Sequence, residues 1–141
     1  MHDTPLTILY YEDAFWADLW KIRTTELAED GIVIEEEGIP EKNPDQPRNG
    51  YEWDYHHIDE IYLSGKGGFW IAWWNGEPVG HVSGQDLGEV VELRDMYIIE
   101  IYRRRGIGSA LVQALMDHVR AQGVTAIELR TMAKGVCCIH T

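Results

Sequence analysis

The sequence predicts a mixed α/β fold of the α+β kind, a mostly antiparallel sheet flanked by helices. Two observations carry this. First, Asn75 and Gly76 stand between two apolar, β-forming runs, residues 69–74 and 78–82, and Asn-Gly in that setting is a strong hairpin signal. Second, the hydrophobic period changes along the chain. Val91, Leu93, Tyr97 and Ile99 alternate with Glu92, Arg94, Met96 and Ile98, as a strand requires. From Ile107 onward Ala110, Leu111, Ala114, Leu115 and Val119 instead fall on one helical stripe, with Gly123 placed as a C-terminal cap. Residues 124–130 read as a further strand, parallel to its predecessor if the crossover is ordinary.

The remaining elements follow in order. Residues 6–10 form a short apolar strand, and Glu12 and Asp13 suit the first turn of a helix because their charge opposes its dipole. Phe15, Leu19, Ile22 and Leu27 recur at helical spacing, and Gly31 is a natural stop. Residues 35–49, with Glu35, Glu36, Glu37 and several prolines, read as a surface loop. In residues 50–63, Trp53, Tyr55, Ile58, Ile61 and Tyr62 outline a second helix. A turn near residues 86–88 joins the hairpin to a third antiparallel strand. The 141 residues are the size of one domain, so residues 1–141 are expected to build one core.

Composition narrows the function classes. With 24 acidic against 12 basic side chains the formal charge is -12, which opposes nucleic-acid binding, since that depends on neutralising phosphates with Lys and Arg. Cationic partners suit it better. No apolar run approaches the ~20 residues that span a bilayer, and Met1 opens no charged-then-apolar leader, so a cytoplasmic protein without a membrane partner is expected. Cys137 and Cys138 are adjacent, a spacing that suits neither a disulfide framework nor a zinc site, and they are read as free thiols.

The stretch Arg103, Arg104, Arg105, Gly106, Ile107, Gly108 and Ser109 joins the end of a strand to the start of an amphipathic helix. Such a turn is an anion site. Glycine lets the backbone approach a phosphate, the first N–H groups of the helix are unpaired, and the helix dipole favours negative charge. Alone, the Arg-x-x-Gly-x-Gly pattern is weak and also fits a plain basic loop. A Walker loop is excluded by the lack of Gly-Lys-Ser/Thr, and a dinucleotide fingerprint by the antiparallel strands that precede the helix.

Residues 93–119, LRDMYIIEIYRRRGIGSALVQALMDHV, resemble the acetyl-CoA-binding motif of the GNAT superfamily of N-acetyltransferases, with Arg103, Gly106 and Gly108 at its three defining positions. The hairpin and two earlier helices come in that family's order, so the resemblance covers residues 6–131. It implies that residues 104–109 hold the CoA pyrophosphate and that Tyr97, Ile98 and Ile99 line the thioester arm. The implied reaction is acetyl transfer from acetyl-CoA to a primary amine of a small molecule or protein, without metal. Glu92 stands where several members carry a glutamate base, and the backbone near Ile98 is where the resemblance places an oxyanion donor. The plainer reading of Glu92 is a solvated strand residue, or one paired with Arg94.

Other residues have plain explanations beside functional ones. His81 lies in the return strand and reads as structural, His118 as packed on its helix, and His56 and His57 lack the further ligands a metal needs. Trp53, Tyr55, Trp70, Trp73 and Trp74 fit a core better than a cage for a cation.

Beyond Arg130 the sequence departs from the family's pattern. The usual last helix, with its Phe-Tyr and Gly-Phe signature and proton-donating tyrosine, and the usual last strands are not found in residues 131–141. The last strand is therefore expected to have an unpaired edge, which a homodimer would cover. Tyr10, Tyr11, Tyr62 and the cysteines are stand-ins for the missing acid that spacing does not separate. The alternative function is a truncated, catalytically impaired domain that binds CoA or a protein.

Overall fold

Six strands lie side by side in chain order. In the computed structural model, which describes residues 4–32, 38–46, 54–131 and 135–140, with backbone alone from residue 130, these are β1 (Leu6–Tyr10), β2 (Gly68–Trp74), β3 (Glu77–Asp86), β4 (Val91–Ile98), β5 (Ala126–Thr131) and β6 (Gly135–His140). All neighbours are antiparallel except β4 and β5, which are parallel and joined by the helix α2 (Ile107–Ala121). The other long helix, α1 (Trp16–Glu29), follows β1.

The hairpin forms for the reason its sequence gives. Asn75 has φ 49° and Gly76 φ 85°, the pair of positive values that a two-residue turn matching strand twist demands. The next turn is held by an Asp86 carboxylate that accepts the Gly88 N–H at 2.7 Å, and it closes with Leu87 N–H donating to the Val90 carbonyl.

Each face of the sheet carries its own apolar cluster. On one, Leu111, Leu115 and Val119 of α2 pack on Trp70, Ala72, Val82, Val91 and Ile127. On the other, Leu19 and Ile22 of α1 pack with Tyr55, Ile58, Tyr62, Phe69 and Ile71. Residues 55–63 wind as a 3₁₀ turn, Tyr55–His57, followed by a π turn, Asp59–Leu63, and not as the regular helix expected; residues 50–53 lie outside the described residues. This run of Tyr, His, Ile and Asp has little intrinsic helix preference, so burial of Tyr55, Ile58 and Tyr62 sets its path. The described part of the expected loop, residues 38–46, is irregular and tied down: Trp16 Nε1 donates to Pro40 O, and Lys42 Nζ reaches Asp13 at 2.9 Å. Residues 35–37 and 47–49 fall outside the described set.

Two sequence expectations need correction. Simple alternation puts Leu93 and Tyr97 on one face, yet Leu93 packs on the α2 side and Tyr97 on the α1 side. The cause is a bulge: Ser83 pairs with Asp95 but Gly84 pairs with Leu93, so Arg94 is an extra residue and every side chain beyond it changes face. The edge of β5 is also not bare. Residues 135–140 return along it as β6, from Thr131 opposite Gly135 to Ala126 opposite His140. No helix follows α2 among the described residues.

Gly67, just before β2, tests the packing of the first hairpin. A Cβ there would collide with the Gly84 carbonyl oxygen, a backbone atom that cannot step aside. Gly67→Ala is expected to cost about 1–3 kcal/mol, read as a lower urea midpoint at unchanged m-value.

Candidate functional site

The loop between β4 and α2 makes a cleft. A 3₁₀ turn, Glu100–Tyr102, leads from the strand, Arg104 takes φ 67°, and Gly106 takes φ 82° as the N-cap of α2. The first helical bond runs from Ala110 N–H to Gly106 O, which leaves the N–H groups of Ile107, Gly108 and Ser109 without helical partners. Ile98, Tyr102, Arg103, Arg104, Gly106 and Gly108 border a cleft of about 250 Å³, with Ile107 and Ser109 completing its wall. A Cβ added at Gly106 or at Gly108 would meet no protein atom within 4 Å. At Gly108, within the helix, glycine costs about 1 kcal/mol relative to alanine and packs against nothing. Its lack of a side chain leaves the space above the N–H groups open.

The three arginines are not equivalent. Arg103 turns back: its Nε donates to Ile98 O at 2.9 Å and its guanidinium lies over Tyr97 at 5.4 Å. Arg105 stacks on Trp74 and Tyr102 at 5.2 and 5.4 Å. Arg104, in the left-handed region, is exposed beside the cleft. Arg103 thus shapes the loop, and Arg104 lines the same cleft.

The cleft adjoins a gap in the sheet. β4 and β5 pair only at Val91, Glu92 and Leu93, opposite Ile127, Glu128 and Leu129, although β4 continues to Ile98. From Arg94 onward β4 keeps β3 on one side and, among the described residues, has no strand on the other. Tyr97, Ile98 and Ile99 lie along this single-sided stretch. The Ile99 N–H is committed to Val79 O and the Ile98 carbonyl to Arg103, so a ligand laid along the strand meets the backbone groups that remain.

On the α1 face of β4 stands a polar group that the sequence announced only in part. Glu92 is buried, 4% exposed, and accepts Arg94 Nη1 at 2.8 Å, so the plain pairing with Arg94 is present. Its partner across β3 is Gln85. Beyond the bulge, Asp95 accepts the Tyr55 hydroxyl at 3.2 Å, and Tyr55 also contacts His81 Nε2 at 3.3 Å. Burial raises the Asp95 carboxyl pKa, against the lowering effect of the Tyr55 hydrogen bond and of Arg23 and Arg94. Burial also pushes the Tyr55 hydroxyl well above its usual range, with Asp95 adding to it. Asp54 accepts Tyr62 at 3.0 Å. Sequence reasoning missed Asp95 and Tyr55 as partners because they are 40 residues apart and because the bulge reverses the expected face.

The remaining candidates settle into packing. His81 is fully buried and stacks on Phe69 at 5.5 Å, and His118 lies between Tyr10 and Trp70. Trp70, Trp73 and Trp74 belong to the two cores; Trp53 lies outside the described residues. His56 accepts the Asn43 N–H, His57 approaches Glu60, and among the described residues no group of His, Cys, Asp or Glu is gathered as for a metal. Burial raises the hydroxyl pKa of Tyr10, Tyr11 and Tyr62, which makes each a poorer proton donor. Cys137 and Cys138 occupy successive positions of β6. Among the described residues no helix is long and apolar enough to cross a membrane.

A helix N-terminus with unpaired N–H groups is thus set beside two parallel strands that part. The chain belongs to the acetyltransferase (GNAT) family, whose sequence profile matches residues 15–136. Over 83 residues it is 34% identical to N-acetylaspartate synthetase of Xenopus tropicalis, a match covering 57% of this chain and 31% of that protein. It spans less than two thirds of the length of each curated relative it matches. Among solved structures, an acetyltransferase of Streptococcus agalactiae superposes with TM-score 0.68 at 21% identity, covering 92% of this chain and 75% of that one. A GNAT family acetyltransferase of Brucella melitensis, solved with acetyl-CoA, superposes with TM-score 0.61 at 12% identity, covering 96% and 87%. At these identities the structural likeness is one of fold.

The burial of His81 has a consequence for stability. Desolvation pushes its pKa from 6.5 to about 4, against the opposing pull of Glu26 and Asp54. Between those values the unfolded chain binds a proton that the folded chain refuses. Stability from this group is therefore full above about pH 6.5 and falls as pH descends toward 4, by up to ~3 kcal/mol. The urea midpoint is expected to drop between pH 7 and pH 4.5, and His81→Gln to flatten that slope.

Proposed function

We propose that this chain transfers an acetyl group from acetyl-CoA to a primary amine of a small molecule or protein. The observation that carries the reading is the cleft at the start of α2, where Gly106 and Gly108 leave the space above unpaired N–H groups open, continuous with the single-sided end of β4. The fold shared with a family member solved with acetyl-CoA supports it. A pyrophosphate suits this cleft because it is anionic and narrow, and because its oxygens accept from backbone N–H groups. Residues 104–109 take that role, and Tyr97, Ile98 and Ile99 line the arm that follows.

Acetyl-CoA supplies an activated thioester carbonyl. The chain's part is to align it, receive the proton of the attacking amine and face the carbonyl oxygen with a donor. Glu92 is assigned the proton. Because it is buried and held by Arg94, it works through an ordered water and not by direct contact. The backbone N–H near Ile98 is assigned to the carbonyl oxygen. No side chain is assigned to protonate the departing thiolate, since the tyrosines offered by the sequence are poor donors in place.

Calorimetric titration with acetyl-CoA is expected to show saturable micromolar binding, and a folded protein that binds none would remove the reading. Gly108→Val probes the cleft most cleanly, because Gly108 carries no positive φ and its side chain would enter open space. It is expected to weaken binding at least tenfold, ~1.4 kcal/mol, without lowering the unfolding midpoint. Glu92→Gln is expected to lower kcat by about 10²-fold or more while leaving CoA affinity unchanged.

A further inference from the structure

We propose that Asp95, oriented by the Tyr55 hydroxyl, is the carboxylate on which the acceptor's ammonium group docks, and that it selects a cationic ligand over a neutral one. This rests on the acetyl-transfer reading and adds the chemical class of the acceptor.

Position is the first argument. Asp95 lies two residues beyond the last β4–β5 pair, half-buried, where the strand has lost its parallel neighbour. The bulge at Arg94 turns it to the same face as Glu92, so that the residue assigned the proton and the proposed seat flank the extra residue on one side of the sheet. A nitrogen held at Asp95 is therefore near the strand that lines the thioester arm.

The second argument is the distribution of charge. Five charged side chains act on Tyr55, Tyr62 and His81: Glu26, Asp54 and Asp95 against Arg23 and Arg94. Arg23 is paired with Glu26 at 3.2 Å and Arg94 with Glu92 at 2.8 Å. The other two carboxylates receive neutral donors instead, Asp54 from Tyr62 and Asp95 from Tyr55. Among the described residues neither has an ion-pair partner. Within this group each carboxylate is thus matched to arginine or to tyrosine, and the one at the gap is matched to tyrosine.

The third is rigidity. Tyr55 is almost wholly buried and its hydroxyl is fixed from both sides, by Asp95 and by His81 Nε2. His81 is itself pinned on Phe69, so the carboxylate is oriented by a chain of packed groups and not by a mobile surface side chain. A carboxylate has about four acceptor sites, and the Tyr55 hydroxyl and the Met96 N–H fill two of them. An ammonium would add a charge-assisted hydrogen bond that a neutral ligand cannot supply.

Titration of the CoA-saturated protein with n-butylammonium, 1,4-butanediammonium and neutral n-butanol reads the seat directly. Both ammonium probes are expected to bind and butanol not. Asp95→Asn should weaken the ammonium probes at least tenfold, Asp95→Glu should recover part of the loss, and Asp117→Asn on the exposed side of α2 should change nothing. Tyr55→Phe should also weaken them and should move the carbon-13 titration of the Asp95 carboxylate upward, because the hydroxyl favours the ionised form. That variant carries the test if Asp95→Asn does not fold. Equal binding by wild type and Asp95→Asn, binding of butanol as tight as of the amines, or no binding of either ammonium overturns the proposal; unchanged binding in Tyr55→Phe overturns the positioning role. If CoA itself does not bind, the acetyl-transfer reading fails, and the same amine titration on the unloaded protein still decides the role of Asp95.

Discussion

β4 has a parallel neighbour for only three residues, and much of the site follows from that. A parallel pair requires a crossover, which here is α2, and the crossover must begin where β4 ends. The N-terminus of α2, with its unpaired N–H groups, is thereby placed beside the length of β4 that, among the described residues, has no strand on its outer side. Anion cleft and gap are one construction. Had β5 stayed paired along β4, those backbone groups would have been satisfied within the sheet and nothing would distinguish this edge.

The bulge opposite Ser83 and Gly84 is the second device, and it acts on side chains where the parting acts on backbone. Without it, Glu92 and Asp95 would fall on opposite faces, and Tyr97 would enter the α2 core. With it, polar groups on both sides of Arg94 collect on the α1 face, while Leu93 and Ile98 still close the apolar cluster under α2. The two faces have therefore divided the work. The α2 face is mostly aliphatic, with Trp70, Trp74, Tyr102 and Met116 among its members, whereas the α1 face mixes tyrosines, His81 and carboxylates among its apolar groups.

Much of this was legible in the sequence. The Asn75-Gly76 turn, the α2 stripe and the glycines at 106 and 108 are local signals, set by dihedral preference and helical period, and each stands where the residues place it. Less legible were features decided by contacts distant in sequence. The bulge leaves no residue signature, since Arg94 in an alternating run looks like any exposed strand position. The path of residues 55–63 is set by what Tyr55 and Tyr62 bury against, and the pairing of β6 with β5 depends on a short return that carries no strong turn signal. Glu92 was found by its spacing from the loop; Asp95 needed the ladder.

The choice of tyrosine at Asp95 bears on why this face is acidic at all. An arginine in place of Tyr55 would hold the carboxylate more firmly, but it would also cancel its charge, and a fully paired carboxylate offers little to an incoming cation. A phenol donates one hydrogen bond and leaves the charge in place. The strain of keeping that charge half-buried shows in the upward pull of burial on the Asp95 pKa, and the nearby arginines, committed to Glu26 and Glu92, only partly offset it. A ligand cation would complete what the chain leaves incomplete, and the fully buried, neutral His81 behind Tyr55 keeps the supporting layer from supplying that positive charge itself.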